Sequence, residues 1–215
     1  MPFTTLFFDL DDTLYSPING VWDAILVRIE LYMQDRLNIP LAEIPQLRVE
    51  LFQQYGTTLR GLQILWQVDE QEFVDYVHDV PLDRLLSPDP ALRALLLCYP
   101  QRKFIFTNAD RNHARRVLNR LQVADCFDGI VDILDVSPYC KPMPQAFATA
   151  LQRAGISDPR ECVFLDDGLN NLAAARELGF YTIRVGSRAP HPACHASIDH
   201  LGELPEILNP LLVSN

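Results

Sequence analysis

The chain has 215 residues, of which 48% are hydrophobic and 21% charged, a composition typical of a globular protein with one substantial core and room for a second small module. Its formal net charge of −10 argues against a nucleic-acid polymer as partner, because affinity for a phosphate backbone depends on clustered Lys and Arg. A small phosphorylated molecule stays compatible with this charge, since it needs only a metal ion and one or two local cations.

Signals for membranes, secretion and disulfide bonds are weak. No apolar stretch approaches the ~20 residues of a transmembrane helix, and an apolar strand begins at Phe3 without a basic and then apolar leader before it. The five cysteines contain no CxxC pair, which argues against a disulfide framework or a zinc site. We therefore expect a cytoplasmic protein with no membrane partner, and the oligomeric state stays open.

The first predicted strand is followed by a cluster of acids. An apolar run ends at Phe8, and Asp9, Asp11 and Asp12 follow it. A buried parallel strand ending there delivers these carboxylates to the carboxyl edge of a sheet, where α/β proteins build their sites. Because crowded carboxylates repel one another, the cluster predicts a metal site or a reaction centre. The alternative is an acidic loop in which Asp12 or Thr13 caps a helix.

The next part of the chain is predicted to be entirely helical. Apolar residues recur three or four positions apart, as in Trp22, Ile25 and Ile29, with Pro and Gly between the repeats. This pattern predicts an all-helical insertion between the first and second strands. The predicted division is a core of residues 1–15 and 88–215 and a helical cap of residues 16–87.

From residue 88 onward, strands and helices alternate. The pattern predicts an α/β fold with a doubly wound, mostly parallel, Rossmann-like sheet covered by helices on both faces. The predicted strands are residues 103–107, 129–134, 163–165 and 181–185, and the predicted helices are 91–98, 110–121, 145–154, 169–178 and 201–212. His191, His195 and His200 could form a metal tract, but their irregular spacing among prolines favours a solvated loop.

Three further polar segments follow the first acid cluster in a fixed order. One apolar run ends in Thr107 and Asn108, and a later one ends in Asp166 and Asp167. Between them Lys141 stands at the entrance to a predicted helix. Only two of the 18 basic residues are lysines, and a compact ammonium at this point suits a phosphate or a carboxylate.

Together these segments resemble the four motifs of the haloacid dehalogenase superfamily, and within it the phosphatases, over residues 3 to about 186. The resemblance implies that Asp9 is a nucleophile that forms an aspartyl phosphate. It implies that Asp11 is the general acid and base. Thr107 and the backbone amide of Asn108 would bind the phosphoryl oxygens, and Lys141 would balance the charge of Asp9 and the phosphate. Dehalogenases of this superfamily lack a carboxylate at the position of Asp11, so phosphoryl chemistry is favoured.

The resemblance also implies a Mg²⁺ site, because hard oxygen ligands favour this ion. Asp9 and Asp167 would be its carboxylate ligands, with the backbone carbonyl of Asp11 and with Asp166 as a direct or water-mediated supporter. Asn171 lies one helical turn beyond Asp167 and could orient the acid pair; the alternative is an exposed amide. Two positions depart from the common pattern, since many relatives carry Ser in place of Gly168 and an acid in place of Asn171.

Residues 55–61 closely resemble a cap loop of the pyrimidine 5'-nucleotidase-like branch. The resemblance implies nucleoside 5'-monophosphates as substrates, with Tyr55 as a stacking face and Arg60 as a hydrogen-bonding fork. The alternative for these two residues is a structural role, with Tyr55 in the cap core and Arg60 solvated or in a salt bridge. Other functions stay open: a phosphosugar phosphatase, a phosphomutase, or a non-catalytic binding protein on the same fold.

Overall fold

The computed structural model describes residues 3–213, with only the backbone of Val213. Within these residues, six strands form one sheet in the order β3-β2-β1-β4-β5-β6, and every neighbouring pair is parallel. The predicted doubly wound α/β fold is therefore confirmed. The strands are β1 Thr5–Phe8, β2 Arg102–Phe106, β3 Gly129–Val131, β4 Cys162–Asp166, β5 Tyr181–Val185 and β6 Ala196–Ile198.

Ten α-helices accompany the sheet in residues 3–213. Five lie between β1 and β2: α1 Val21–Asp35, α2 Ile44–Tyr55, α3 Thr58–Trp66, α4 Glu70–Val77 and α5 Leu82–Leu85. The others are α6 Pro90–Leu97, α7 Arg111–Leu121, α8 Pro144–Ala154, α9 Leu169–Glu177 and α10 Leu204–Val213. None of the helices in this described range is long and apolar enough to cross a membrane.

The central strands are mostly apolar because helices cover both faces of the sheet. All four residues of β1 are buried, and successive side chains point to opposite faces. Phe8 belongs to a core that continues into the helices between β1 and β2. Phe7 belongs to a second core on the other face, where Phe147 and Phe164 pack edge to face with ring centroids 5.4 Å apart.

The topology brings three strand ends to one place. β1 pairs with β2 on one side and with β4 on the other, so that Phe8 is level with Ile105 and with Leu165. The chain reverses its direction of winding at β1, which is the point where open α/β sheets bind ligands beyond the carboxyl ends of their strands. The residues that follow β1, β2 and β4 therefore share one edge.

The helices between β1 and β2 pack on one another through their apolar faces. Tyr32 on α1 lies against Phe73 and Tyr76 on α4, with ring centroids 5.0 and 5.3 Å apart. We refer to residues 16–87 as the cap segment; its role as a separate module and its bounds stay predictions.

The histidine-containing segment near residue 195 differs in part from the expected solvated loop. It contains β6, a strand of three residues that the sequence pattern did not predict. His195 accepts a hydrogen bond at Nδ1 from the backbone N–H of Thr182 (3.1 Å), and its ring stacks on Tyr181 at 4.8 Å. Among the described residues, no group of potential metal ligands includes these histidines.

Candidate active site

The candidate site is built around a buried lysine between two carboxylates. The Nζ atom of Lys141 lies 2.8 Å from Oδ1 of Asp9 and 2.7 Å from Oδ2 of Asp166. Asp9 directly follows β1, Asp166 ends β4, and Lys141 lies in the loop before α8. Only 1% of the lysine side chain is exposed. Burial lowers its pKa, but Asp166 and Asp9 outweigh burial and raise it, so Lys141 stays charged.

Three carboxylates share the same edge of the sheet. Asp9, Asp166 and Asp167 each offer an oxygen within 4.8 Å of the others. Burial and the neighbouring carboxylates raise the pKa of Asp9 well above its usual value, against the lowering effect of Lys141. Burial and Asp166 raise the pKa of Asp167 to about 6. Carboxylates that repel one another in this way, with only one ammonium among them, suit a divalent cation.

Asp166 is held by donors on both oxygens. Its Oδ1 accepts from the backbone N–H of Gly168 (2.7 Å), and Nδ2 of Asn171 lies 3.1 and 3.2 Å from the two oxygens. Oδ2 also accepts from Lys141. Asn171 thus contacts one member of the acid pair, as its position one turn along the helix allows.

Asp11 lines the same cavity but has other hydrogen-bond partners than Asp9 and Asp166. Its Oδ1 accepts hydrogen bonds from the hydroxyl of Tyr15 and from Nε2 of His113, the latter at 2.8 Å. Burial acts to raise the pKa of Asp11, but His113 and Tyr15 outweigh it and lower the pKa.

The alternative in which Asp12 or Thr13 caps a helix is wrong, because α1 begins at Val21.

Tyr15 and His113 are site residues that the sequence analysis missed. The side chain of His113 is fully buried and stacks on His78 with ring centroids 4.5 Å apart. His78 in turn contacts Asp110, with Nδ1 2.6 Å from Oδ2. One signal was available: His113 lies in the first turn of the helix that follows the second motif, and Asp110 caps that helix.

The second motif, at the end of β2, has two distinct contacts. Thr107 accepts at Oγ1 a hydrogen bond from the backbone N–H of Ala109 (3.0 Å). Asn108 uses its side chain on the main chain of Lys141: Nδ2 donates to the carbonyl at 3.0 Å, and Oδ1 accepts from the N–H at 2.9 Å. The side chain of Asn108 therefore fixes the backbone of Lys141.

A cavity of about 330 Å³ lies over this edge of the sheet. Its floor is formed by residues that follow the strands, and its walls by apolar and aromatic residues of the cap segment together with one cation. Floor residues include Asp9, Asp11, Thr107, Asn108, Lys141 and Asp167, and wall residues include Trp22, Ile25, Arg48, Phe52, Leu59, Phe73 and His78.

Tyr55 and Arg60 do not line this cavity, and the structure differs here from the expected substrate contacts. Arg60 is 3% exposed and donates to the backbone carbonyls of Ile133 and Tyr139. Tyr55 ends α2, and its carbonyl faces the thiol of Cys140. The part of the loop that reaches the cavity is the stretch between them, residues 57–59.

Comparisons with known proteins agree with this arrangement. The family model described as haloacid dehalogenase-like hydrolase matches residues 3–179. The chain is 31% identical over 187 residues to Phosphate metabolism protein 8 of Saccharomyces cerevisiae, a match that covers 80% of this chain and 58% of the yeast protein. It is 26% identical over 182 residues to Hexitol phosphatase B of Escherichia coli, covering 79% of this chain and 77% of that protein.

Solved structures of low identity share the fold. The HAD-hydrolase YfnB of Bacillus subtilis, determined with bound magnesium, has a TM-score of 0.65 and 19% identity over 97% of this chain and 100% of that chain. A HAD phosphatase of Thermococcus onnurineus has a TM-score of 0.64 and 19% identity, covering 97% and 98% of the two chains. By the match of the family model to most of its length, this chain belongs to the haloacid dehalogenase-like hydrolase family.

Proposed function

We propose that this chain is a Mg²⁺-dependent phosphomonoester hydrolase that works through an aspartyl phosphate on Asp9. One observation carries the proposal: Asp9, two residues before Asp11, lines the cavity 2.8 Å from the buried ammonium of Lys141 and within 4.8 Å of a carboxylate oxygen of Asp167. The two curated relatives with phosphate or phosphatase in their names support phosphoryl chemistry. The yeast relative is longer than this chain, which spans 58% of its length.

In the first half-reaction, a carboxylate oxygen of Asp9 attacks phosphorus, and the bond from phosphorus to the alcohol oxygen breaks. Asp11 gives its proton to the leaving alkoxide. The pKa of Asp11 is lowered in the free protein, and the negative phosphate bound beside it raises this pKa, so that the proton is present when it is needed. Lys141 balances the charge on Asp9 and on the phosphate, while Thr107 and the amide of Asn108 hold phosphoryl oxygens.

In the second half-reaction, Asp11 takes a proton from water, the water oxygen attacks phosphorus, and the bond to Asp9 breaks to release phosphate. The residues present fit Mg²⁺, because three hard carboxylates lie within 4.8 Å and two of them have a raised pKa. Asp9, Asp167 and the carbonyl of Asp11 would hold the ion, with Asp166 as supporter. When bound, the ion neutralises the repulsion between the phosphate and the carboxylates.

We further propose nucleoside 5'-monophosphates as the substrate class. Trp22, Phe52 and Phe73 line the cavity, and flat aromatic walls suit a nucleobase better than a polyol. Arg48 offers a cation that can contact a base carbonyl. A second candidate is a sugar or hexitol phosphate, which the likeness to Hexitol phosphatase B favours. We place the protein in the cytoplasm with a small phosphorylated metabolite as its partner.

The reaction is tested by phosphate release from a chromogenic phosphoester with and without Mg²⁺. We expect release that requires Mg²⁺ and is abolished by Asp9→Asn, which keeps the shape of the side chain and removes its nucleophilic charge. No release by the wild type, or equal release by Asp9→Asn, would contradict the proposed reaction. Recovery of a rearranged phosphosugar in place of free phosphate would indicate a phosphomutase.

The substrate class is tested by replacing each of the two tryptophans by leucine in turn. Both lie on helices of the cap segment with similar exposure, 43% for Trp22 and 38% for Trp66, but only Trp22 lines the cavity. Trp22→Leu should raise KM for nucleoside monophosphates about tenfold, the usual effect of losing one stacked ring, and leave KM for acetyl phosphate unchanged. Trp66→Leu should change neither. A higher kcat/KM of the wild type for hexitol phosphates would favour the second candidate.

A further inference from the structure

The cap segment contacts the loop that carries Lys141. Residues 55–61 run from the last residue of α2 into the first turn of α3. They lie against the loop of residues 132–143, which links β3 to α8. The same residues 55–61 were expected to read the substrate. Arg60 and Tyr55 instead contact residues of the loop that carries Lys141.

Arg60 ties the two segments together. Its Nε and Nη2 atoms donate to the carbonyl of Tyr139 at 3.1 and 2.7 Å, and Nη2 also donates to the carbonyl of Ile133 at 3.0 Å. Its charge is paired with Glu70, which accepts a hydrogen bond from the hydroxyl of Ser137 in the same loop (2.9 Å). Arg60 therefore holds the loop at two points, Ile133 near its start and Tyr139 two residues before Lys141.

Gly56 allows the two backbones to approach closely. A Cβ atom at this position would lie 2.9 Å from Sγ of Cys140 and 3.4 Å from the carbonyl oxygen of Lys141. Its φ of +86° lies in the region that favours glycine. The thiol of Cys140 donates to the carbonyl of Tyr55 at 3.5 Å. A side chain at residue 56 would therefore push on Cys140 and on the backbone of Lys141.

Asn108, at the end of β2, also holds the loop that carries Lys141. Asn108 accepts from the N–H and donates to the carbonyl of Lys141 itself. The lysine main chain thus lies between Asn108 and residues 55–61, and its Nζ is 2.8 Å from Asp9 and 2.7 Å from Asp166. At these distances a shift of the loop by about 1 Å breaks one of the two contacts.

Residues 57–59 of the same turn line the cavity. We propose that Arg60 is a positioning residue that acts through Lys141, so that the seating of the cap segment on residues 132–143 places the ammonium beside Asp9. This inference rests on the proposed function. It assigns to Arg60 no contact with the substrate, and it predicts an effect on the rate of the chemical step that is the same for every substrate.

The test uses Arg60→Lys, which keeps a positive charge next to Glu70 but cannot donate to two carbonyls with a planar fork. Its kcat and KM are measured for acetyl phosphate and for a nucleoside monophosphate. We expect kcat to fall about tenfold or more for both substrates, since a misplacement of about 1 Å costs up to about 100-fold. KM should stay within about threefold of wild type for both.

Two further variants separate positioning from general destabilisation. Arg120→Lys is the matched control, because Arg120 also donates to two carbonyls, of Leu86 (2.7 Å) and Asp83 (2.9 Å), away from the Lys141 loop. It should lower the urea midpoint and leave kcat unchanged. Gly56→Ala perturbs the loop at a second point and should lower kcat with unchanged KM, as Arg60→Lys does, even if Arg60→Lys fails to fold.

The possible outcomes are distinct. A rise in KM confined to the nucleoside monophosphate would assign Arg60 to substrate binding and overturn the inference. An unchanged kcat in folded Arg60→Lys or Gly56→Ala, or an equal loss of kcat in Arg120→Lys, would overturn it as well. An inactive wild type would instead contradict the proposed function, which the chromogenic assay establishes separately.

Discussion

Replacing Lys141 by Met tests the centre of the site, and the chain offers a matched control. Met keeps the length of the side chain and removes the ammonium that contacts Asp9 and Asp166. At 2.8 Å and an effective dielectric of ~20, each contact has a gross attraction of about 6 kcal/mol, most of which offsets the cost of burial. Lys141→Met leaves the buried carboxylates without a cationic partner, which should lower the free energy of unfolding by about 3–5 kcal/mol.

Lys103 is the other lysine and is also buried, with 7% exposed. Within residues 3–213, its Nζ donates to the carbonyls of Tyr99 and Gln101, at 2.6 and 2.8 Å, and contacts no carboxylate. Lys103→Met should therefore cost less, about 2–3 kcal/mol, and should leave phosphate release unchanged. Lys141→Met should remove phosphate release.

The pH dependence distinguishes the two lysines further. Burial raises the pKa of Asp9, and Lys141 lowers it, so the loss of Lys141 raises this pKa further. When a carboxyl group has a higher pKa in the folded than in the unfolded protein, the folded protein is most stable at low pH, where the group is protonated. The free energy of unfolding then falls as pH rises through the folded-state pKa. Lys141→Met should thus lose less unfolding free energy, relative to wild type, at pH 5 than at pH 8 in urea titrations. The loss caused by Lys103→Met should be the same at both pH values. A constant deficit for Lys141→Met, or retained activity, would refute the reasoning.

Three further results are expected. His113→Asn removes a donor to Asp11, so burial then raises the pKa of Asp11; the acid limb of the profile of kcat/KM against pH should move to higher pH, and an unmoved limb would contradict this role. Half-saturation by Mg²⁺ should need more ion as pH falls below about 6, where Asp167 becomes protonated; calorimetric titrations at pH 5 and pH 8 with equal affinities would be evidence against the metal site. Gly168→Ser places a Cβ 2.9 Å from Asp166 Oδ1 and should cost about 1–3 kcal/mol in urea unfolding, whereas an equally stable variant would show that the loop yields.

The fold could be predicted because its strands are short apolar runs that end abruptly in polar residues. β1 ends at Phe8 as the pattern indicates, and β4 ends at Asp166, the first residue of the acid pair. The parallel arrangement then brings the strand ends to one edge without any further information. β6 could not be predicted, because a strand of three residues is too short to show a period of two.

The roles of Arg60 and His113 could not be predicted for a different reason. Arg60 contacts backbone carbonyls 73 and 79 residues away, and a carbonyl leaves no trace in the amino-acid sequence. His113 meets Asp11 across 102 residues of chain. Helical periodicity indicates which face of a segment is buried, but it does not identify the group that lies opposite.

The burial of both lysines has a practical consequence for chemical labelling. The two lysine side chains, Lys103 and Lys141, lie inside the fold, while the other residues in the Lys and Arg count are arginines. Amine-directed dyes, crosslinkers and acylating reagents therefore have no exposed side-chain target in the native protein. The rate at which such a reagent reaches Lys141 becomes a direct measure of how often the fold opens around this lysine.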